Sequence, residues 1–101
     1  MEITISGRHL DITPAIRSHA EERANRLPKY YDLIQAVEVV LDAGKDETSV
    51  EMIVDAEHKN TFIAHQNGAD AYACIDGCMH KLERQLTEHK QKFRNRKHPA
   101  D

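Results

Sequence analysis

Apolar and polar positions alternate from Glu2 to Ser6, with Ile3 and Ile5 on one side, which predicts a short strand ended by Gly7. Thr13-Pro14 then opens a helix: Thr13 can accept a backbone N–H as N-cap, and Pro14 loses nothing at the first helical position. Ile16, Ala20, Ala24, Leu27 and Tyr31 recur at helical spacing, and Pro28 kinks or ends that pattern. Ala36 to Asp42 reads as a second strand, with Val37, Val39 and Leu41 on one face and a turn at Ala43 to Asp46. From Thr48 to Glu57, Val50, Met52, Val54 and Ala56 face inward, and Ile53 is the apolar exception on the outer face. A turn at His58-Lys59-Asn60 leads to a fourth strand, Thr61 to Gln66, with Phe62 and Ala64 inward. Asp70 can then cap a long helix reaching about Phe93, with Ile75, Met79, Leu82, Leu86 and Phe93 as its buried stripe. Gly77 is a weak point in that helix, costing about 1 kcal/mol against Ala unless close packing needs it. The remaining RNRKHPAD has no apolar period and is expected to fray.

The predicted order is β-α-β-β-β-α. A helix between the first two strands suits a parallel, right-handed crossover, and short turns join the last three strands into an antiparallel meander. Because the outer strand faces are polar and acidic, both helices are expected on the inner face. The fold class is α+β: a two-layer sandwich, a four-stranded sheet with both helices on one face.

At 101 residues, 40% of them hydrophobic, the chain has room for one domain and one core. No apolar run approaches the roughly eighteen residues a membrane span needs. The N-terminus has no basic-then-apolar leader, so a cytoplasmic location is expected. Cys74 and Cys78 fall on one helix and are read as reduced thiols.

Net charge is −3, but it is unevenly spread. Lys81 to His98 holds seven bases and two acids, Glu38 to His58 seven acids and one base, and Arg8 to Lys29 five bases and three acids. Such polarity lets a basic side dock a polyanion while an acidic side faces away. It is equally compatible with ordinary solvated charge.

No P-loop, dinucleotide fingerprint, nucleophile elbow or metalloprotease helix is present, and the short loops leave little material for a pocket. No catalytic residue, cofactor or metal is therefore expected. Asp42, Asp46 and Glu47 read as a solvated turn rather than a cation site. Cys74 and Cys78, with His80 nearby, lack a second ligand pair. The seven histidines form no ligand-spaced set. On helices turning about 100° per residue, His19, Arg23 and Arg26 run along one side of the first. Lys81, Arg84, Gln85 and Lys92 gather on one side of the last, interrupted by Glu88, with Lys90 and Arg94 on the opposite flank. Such groups bond phosphate oxygens and 2′-hydroxyls without reading sequence. Five aromatics, three of them assigned to the core, offer few stacking platforms, so folded RNA fits better than single strands.

Asp70-Ala71-Tyr72-Ala73-Cys74-Ile75-Asp76, followed by Lys81-Leu82-Glu83-Arg84-Gln85-Leu86, resembles the D-x-Y-A-A-I-D…K-L-E-R-Q-L signature of ribosome hibernation-promoting factors. Ile5 to Leu27 resembles the same family's opening, I-T-G-x-x-x-x-I-T-x-A-[IL]-R, so the likeness covers nearly the whole chain. Cys74 stands in place of the signature's second alanine, and His80 where an acidic or amide residue is common.

The resemblance implies a non-enzymatic factor that binds the small ribosomal subunit and its rRNA between head and body. There it would block mRNA and A- and P-site tRNA, stop translation, and promote ribosome dimers in stationary phase or stress. A separate modulation factor is implied as a further partner; membrane and DNA are not, and off the ribosome a monomer is expected. The likeness is to the short form, with residues 1–94 as a single ribosome-binding domain and 95–101 as a basic, flexible tail. By matching position, the resemblance implies rRNA contacts at Lys81, Arg84, Gln85 and Lys90, and at Arg23, Arg26 and Lys29 on a usually basic first helix. Lys92 joins them from the helix geometry. Tyr72 and Asp76 are expected to be structural, Asp76 within a first-turn acidic set. The alternative is a generic double-stranded-RNA-binding module, but that type begins with its helix and grips with a basic loop, whereas here a strand comes first and the turns are acidic.

Overall fold

The computed structural model describes residues 1–97, with side chains described as far as Lys92. The first alternating segment forms β1 (Glu2–Arg8), with Ile5 buried and Ile3 half-buried. Gly7 does not end it. A Cβ there would lie 2.6 Å from the Leu10 carbonyl oxygen and 3.0 Å from Ile12, so the glycine lets the following chain fold back onto the strand.

The first helix, α1 (Pro14–Ala24), starts as its cap signal predicts: the Ile16 N–H donates to Thr13 Oγ1 at 3.2 Å. It ends earlier than its apolar spacing suggests. The chain leaves α1 at Asn25, and Leu27, Pro28 and Lys29 make a separate 3-10 turn. Leu27 and Tyr31 are still buried, so the apolar period continues through a change of helix type that accommodates Pro28 near the turn's start.

β2 (Ile34–Ala43), β3 (Thr48–Ala56) and β4 (Asn60–Gly68) complete a sheet of order β1-β2-β3-β4. β1 runs parallel to β2, and the other two pairings are antiparallel, as the crossover and short turns require. At the β2–β3 turn the Gly44 N–H donates to the Glu47 carbonyl at 2.8 Å. The β3–β4 connection holds His58 and Lys59 at φ of 65° and 60°, a left-handed pair closed by the Asn60 side chain donating to the Glu57 carbonyl. Left-handed backbone costs a non-glycine residue about 1–2 kcal/mol, which the tight turn imposes here.

The second helix, α2 (Ala71–Lys97), is capped by Asp70, whose carboxylate accepts from the Tyr72 N–H at 3.0 Å. It extends past the Phe93 boundary. Phe93 itself, and the basic side chains after it, lie outside the described side chains, and residues 98–101 lie outside the described residues.

Both helices pack on one face of the sheet, α2 against β3 and β4 and α1 against α2 and β1. Between the layers lie Val37, Val39, Leu41, Val50, Met52, Val54, Ile75, Leu82 and Leu86, all essentially inaccessible. Gly77 is used in packing: a Cβ there would meet Gln66 Cγ at 2.9 Å, so α2 lies close over β4. Phe62 is only half-buried, where it meets Tyr31 and His89 edge-on at one end of the core.

Candidate nucleic-acid interface

The polar flank of α1 meets α2 through one carboxylate. Asp76 Oδ1 accepts from Arg23 Nε and is bonded to His19 Nε2, each at 2.9 Å, while His19 lies edge-on to Tyr72 with ring centroids 5.2 Å apart. Burial works to raise the Asp76 carboxyl, but the hydrogen bonds and positive charge of His19 and Arg23 outweigh it and hold it below the usual carboxylate range. Asp76 is thus a tie between helices. It is not part of an acidic first turn of α2, which has no acid.

The neighbouring groups are engaged as well. Glu22 binds Arg23 at 2.8 Å and also holds Arg26. The Tyr30 hydroxyl donates to Glu83 at 3.1 Å, and that bond raises the phenol above its ordinary range. Of the three bases expected on the first helical segment, Arg23 is committed to holding α1 on α2 and Arg26 shares Glu22. Lys29, in the 3-10 turn, is exposed and has no ion pair among the described residues.

On its other flank α2 lies against the free edge of β4. Lys81 Nζ donates to the His65 carbonyl, and Gln85 Nε2 donates to the Ile63 carbonyl at 2.9 Å. These two side chains satisfy main-chain acceptors that an edge strand otherwise offers to other chains. The acceptor of Lys81 is a backbone carbonyl and not a carboxylate. Gln85 is half-buried, and one of its two amide N–H groups is given to Ile63.

Between the two flanks runs an exposed ridge. His80, 81% exposed in its side chain and 4.0 Å from Glu83, stands between two grooves. One, about 190 Å³, separates it from Arg23 and Arg26; the other, about 550 Å³, is lined by His65, Lys81 and Arg84. Arg84 is exposed and unpaired among the described residues, as are Lys90 and Lys92. Lys92 continues the Lys81 flank. Lys90, two turns beyond Glu83, continues the flank that faces α1. Of the eight expected residues, Arg23 and Arg26 line one groove and Lys81, Arg84 and Gln85 the other, while Lys29, Lys90 and Lys92 line neither. Among the described residues Lys29, Lys81, Arg84, Lys90 and Lys92 have no carboxylate partner. Sequence reasoning missed His65, which β4 brings beside Lys81; only the strand-to-helix packing reveals it.

The opposite face of the sheet has the other sign. Glu2, Glu38, Asp42, Glu51 and Asp55 occupy it, with Arg8 at the end of β1 and His65 opposite Glu51. Asp42 bonds His9 at 3.0 Å. Among the described residues no three His, Cys, Asp or Glu side chains are grouped to hold a metal. The cysteines face the core: Cys78 donates to the Val50 carbonyl at 3.4 Å and Cys74 to that of Thr48 at 3.7 Å. Burial pushes the Cys78 thiol up to about 11.

A four-stranded sheet with two helices on one side is shared with known proteins. Residues 3–94 match the model of the family described as Sigma 54 modulation protein / S30EA ribosomal protein. The chain belongs to this family. It is 36% identical over its whole length to 96% of the ribosome hibernation promoting factor of Azotobacter vinelandii. It is 39% identical to that of Klebsiella oxytoca, over 93% of this chain and 98% of the relative. Its structure is similar to a ribosomal subunit interface protein from Coxiella burnetii, with a TM-score of 0.83 and 31% identity over 90% of this chain and 99% of the other.

Proposed function

We propose that this protein is a ribosome hibernation factor acting without catalysis in the cytoplasm. Its helix layer binds rRNA of the small subunit in the decoding region. There it excludes mRNA and A- and P-site tRNA and so stops translation. Residues 1–94 act as one ribosome-binding domain, and dimerisation of the silenced ribosomes draws on a separate modulation factor. The observation that carries this reading is the division of charge between the two layers. Lys29, Lys81, Arg84, Lys90 and Lys92, uncompensated among the described residues, lie on the helix side, and a carboxylate-rich sheet faces away. A polyanion meets attraction on one side only, which fixes orientation as well as affinity. Lysine and arginine heads around a ridge suit phosphates and 2′-hydroxyls of folded RNA, and among the described residues no Phe, Tyr or Trp lines the two grooves beside His80 to stack a run of bases.

The test is sedimentation of purified protein with isolated small and large subunits, followed by chemical footprinting of the rRNA and cell-free translation. Binding to small subunits, protection confined to the decoding region, competition by mRNA with tRNA, and inhibition of translation are expected. Equal binding to small subunits and to naked double-stranded RNA, without a localised footprint, would refute the reading in favour of a generic RNA-binding module.

A further inference from the structure

Packing of both helices on one face leaves the other face of the sheet uncovered, and that face is not uniformly polar. Register places Glu38, Ile53 and Ile63 in one cross-strand row, and Val40, Glu51 and His65 in the next. Ile63 is 52% exposed, and Ile53 and Val40 are half-exposed. Three β-branched apolar side chains thus form a short ridge. Ile53 has Glu38 directly opposite, with Glu51 and Asp55 two residues away on either side along its own strand. Neither Glu38 nor Glu51 has a basic partner among the described residues, and they occupy diagonal positions on neighbouring strands. Like charges at that spacing repel.

An apolar centre ringed by unneutralised carboxylates has the anatomy of a small docking surface, with a dehydrated middle and a charged rim. The charge decides the occupant. An RNA phosphate would be repelled, whereas a lysine- and arginine-rich protein segment carrying an apolar residue would neutralise Glu38, Glu51 and Asp55 and cover Ile53. We propose that the outer face of β2, β3 and β4 binds such a basic protein segment. Ile63 and His65, on the β4 edge, also border the groove of Lys81 and Arg84, whereas Glu38, Glu51, Ile53 and Asp55 lie on β2 and β3, on the side opposite the helix layer. That part stays open while the helix layer holds RNA, and the protein can bridge an RNA surface and a basic protein. The inference does not depend on which RNA the helix layer binds.

The probe is a fluorescent twelve-residue peptide of eight lysines with four interspersed isoleucines, titrated into the full chain at low salt by anisotropy. Amide chemical shifts are followed by NMR in parallel. Saturable binding is expected, with shifts confined to β2, β3 and β4. The E38Q/E51Q variant should weaken it about tenfold, as should raising salt from about 50 to 200 mM. I53T, which keeps a β-branched side chain, should weaken it several-fold, and a glutamate-for-lysine peptide should not bind. E38Q/E51Q should melt no lower than the parent, since it removes a repulsion, and should co-sediment with small subunits as the parent does. Absence of peptide binding would overturn the proposal. So would binding unchanged in E38Q/E51Q, or shifts that map to the helices or reflect only self-association of the chain.

Discussion

Replacing Arg84 with Gln removes one exposed guanidinium that has no carboxylate partner among the described residues, while replacing Arg23 with Gln removes one already bonded to Asp76 and Glu22. The two arginines contribute the same formal charge and both belong to the expected contact set, yet the structure assigns them opposite roles. Binding to RNA releases about 0.7–0.9 counterions per phosphate neutralised. If Lys29, Lys81, Arg84, Lys90 and Lys92 each meet one phosphate, the slope of log K against log salt is about −3.5 to −4.5. Raising salt from about 50 to 200 mM then costs about 100- to 500-fold in affinity. Arg84→Gln should lessen the steepness of that slope by about 1 and leave the melting temperature nearly unchanged, since exposed charges stabilise little. Arg23→Gln should keep the slope and lower the melting temperature, because it unties α1 from α2. Binding isotherms of small subunits at four salt concentrations, with melting curves of each variant, measure both quantities. Equal slopes for the parent and Arg84→Gln, or a reduced slope for a fully folded Arg23→Gln, would refute the assignment of free and committed bases.

Lys81→Glu with Arg84→Glu should abolish ribosome association and inhibition of cell-free translation in a protein that circular dichroism shows to be folded. Leu82→Ala removes fully buried packing and should cost about 2–5 kcal/mol, losing binding only in proportion to the unfolded fraction seen in melting curves. Asp76→Asn should destabilise by about 1 kcal/mol at neutral pH, a modest figure because the carboxylate is partly exposed. The Asp76 carboxyl is held low in the folded state, so its contribution is complete above about pH 4 and is lost as pH falls through the lowered value. The parent and variant melting temperatures should therefore converge in acid. Cys74→Ala with Cys78→Ala should retain ribosome binding. In the parent, Cys78 should resist iodoacetamide at pH 8 until the fold is denatured, as mass spectrometry of the labelled protein would show.

Strand alternation gave the inner residues Val37, Val39, Leu41, Val50, Met52, Val54 and Ala64 directly from the sequence, and all are buried. Thr13 and Asp70 marked both helix starts, because caps and period-2 burial are local properties of a few consecutive residues. Helix ends were less legible. The apolar period ran on through Leu27 and Tyr31, and nothing in that spacing separates an α-turn from the 3-10 turn that Pro28 requires. Gly7 looked like a strand stop because its reason, the approach of the Leu10 carbonyl, comes from chain that folds back in space.

The candidate site divides in the same way. Its basic content and the face of each base followed from helical periodicity, and the family from two sequence blocks. Which bases remain available for a ligand did not. Arg23 is taken up by Asp76, 53 residues away, and Arg26 is paired with Glu22. The sequence by itself determined the element order, the core and the sign of charge on each layer, since these depend on spacing along one chain segment. Only the tertiary structure decided which charges are spent inside the fold and which face solvent, because pairing depends on distances between segments that no local pattern encodes.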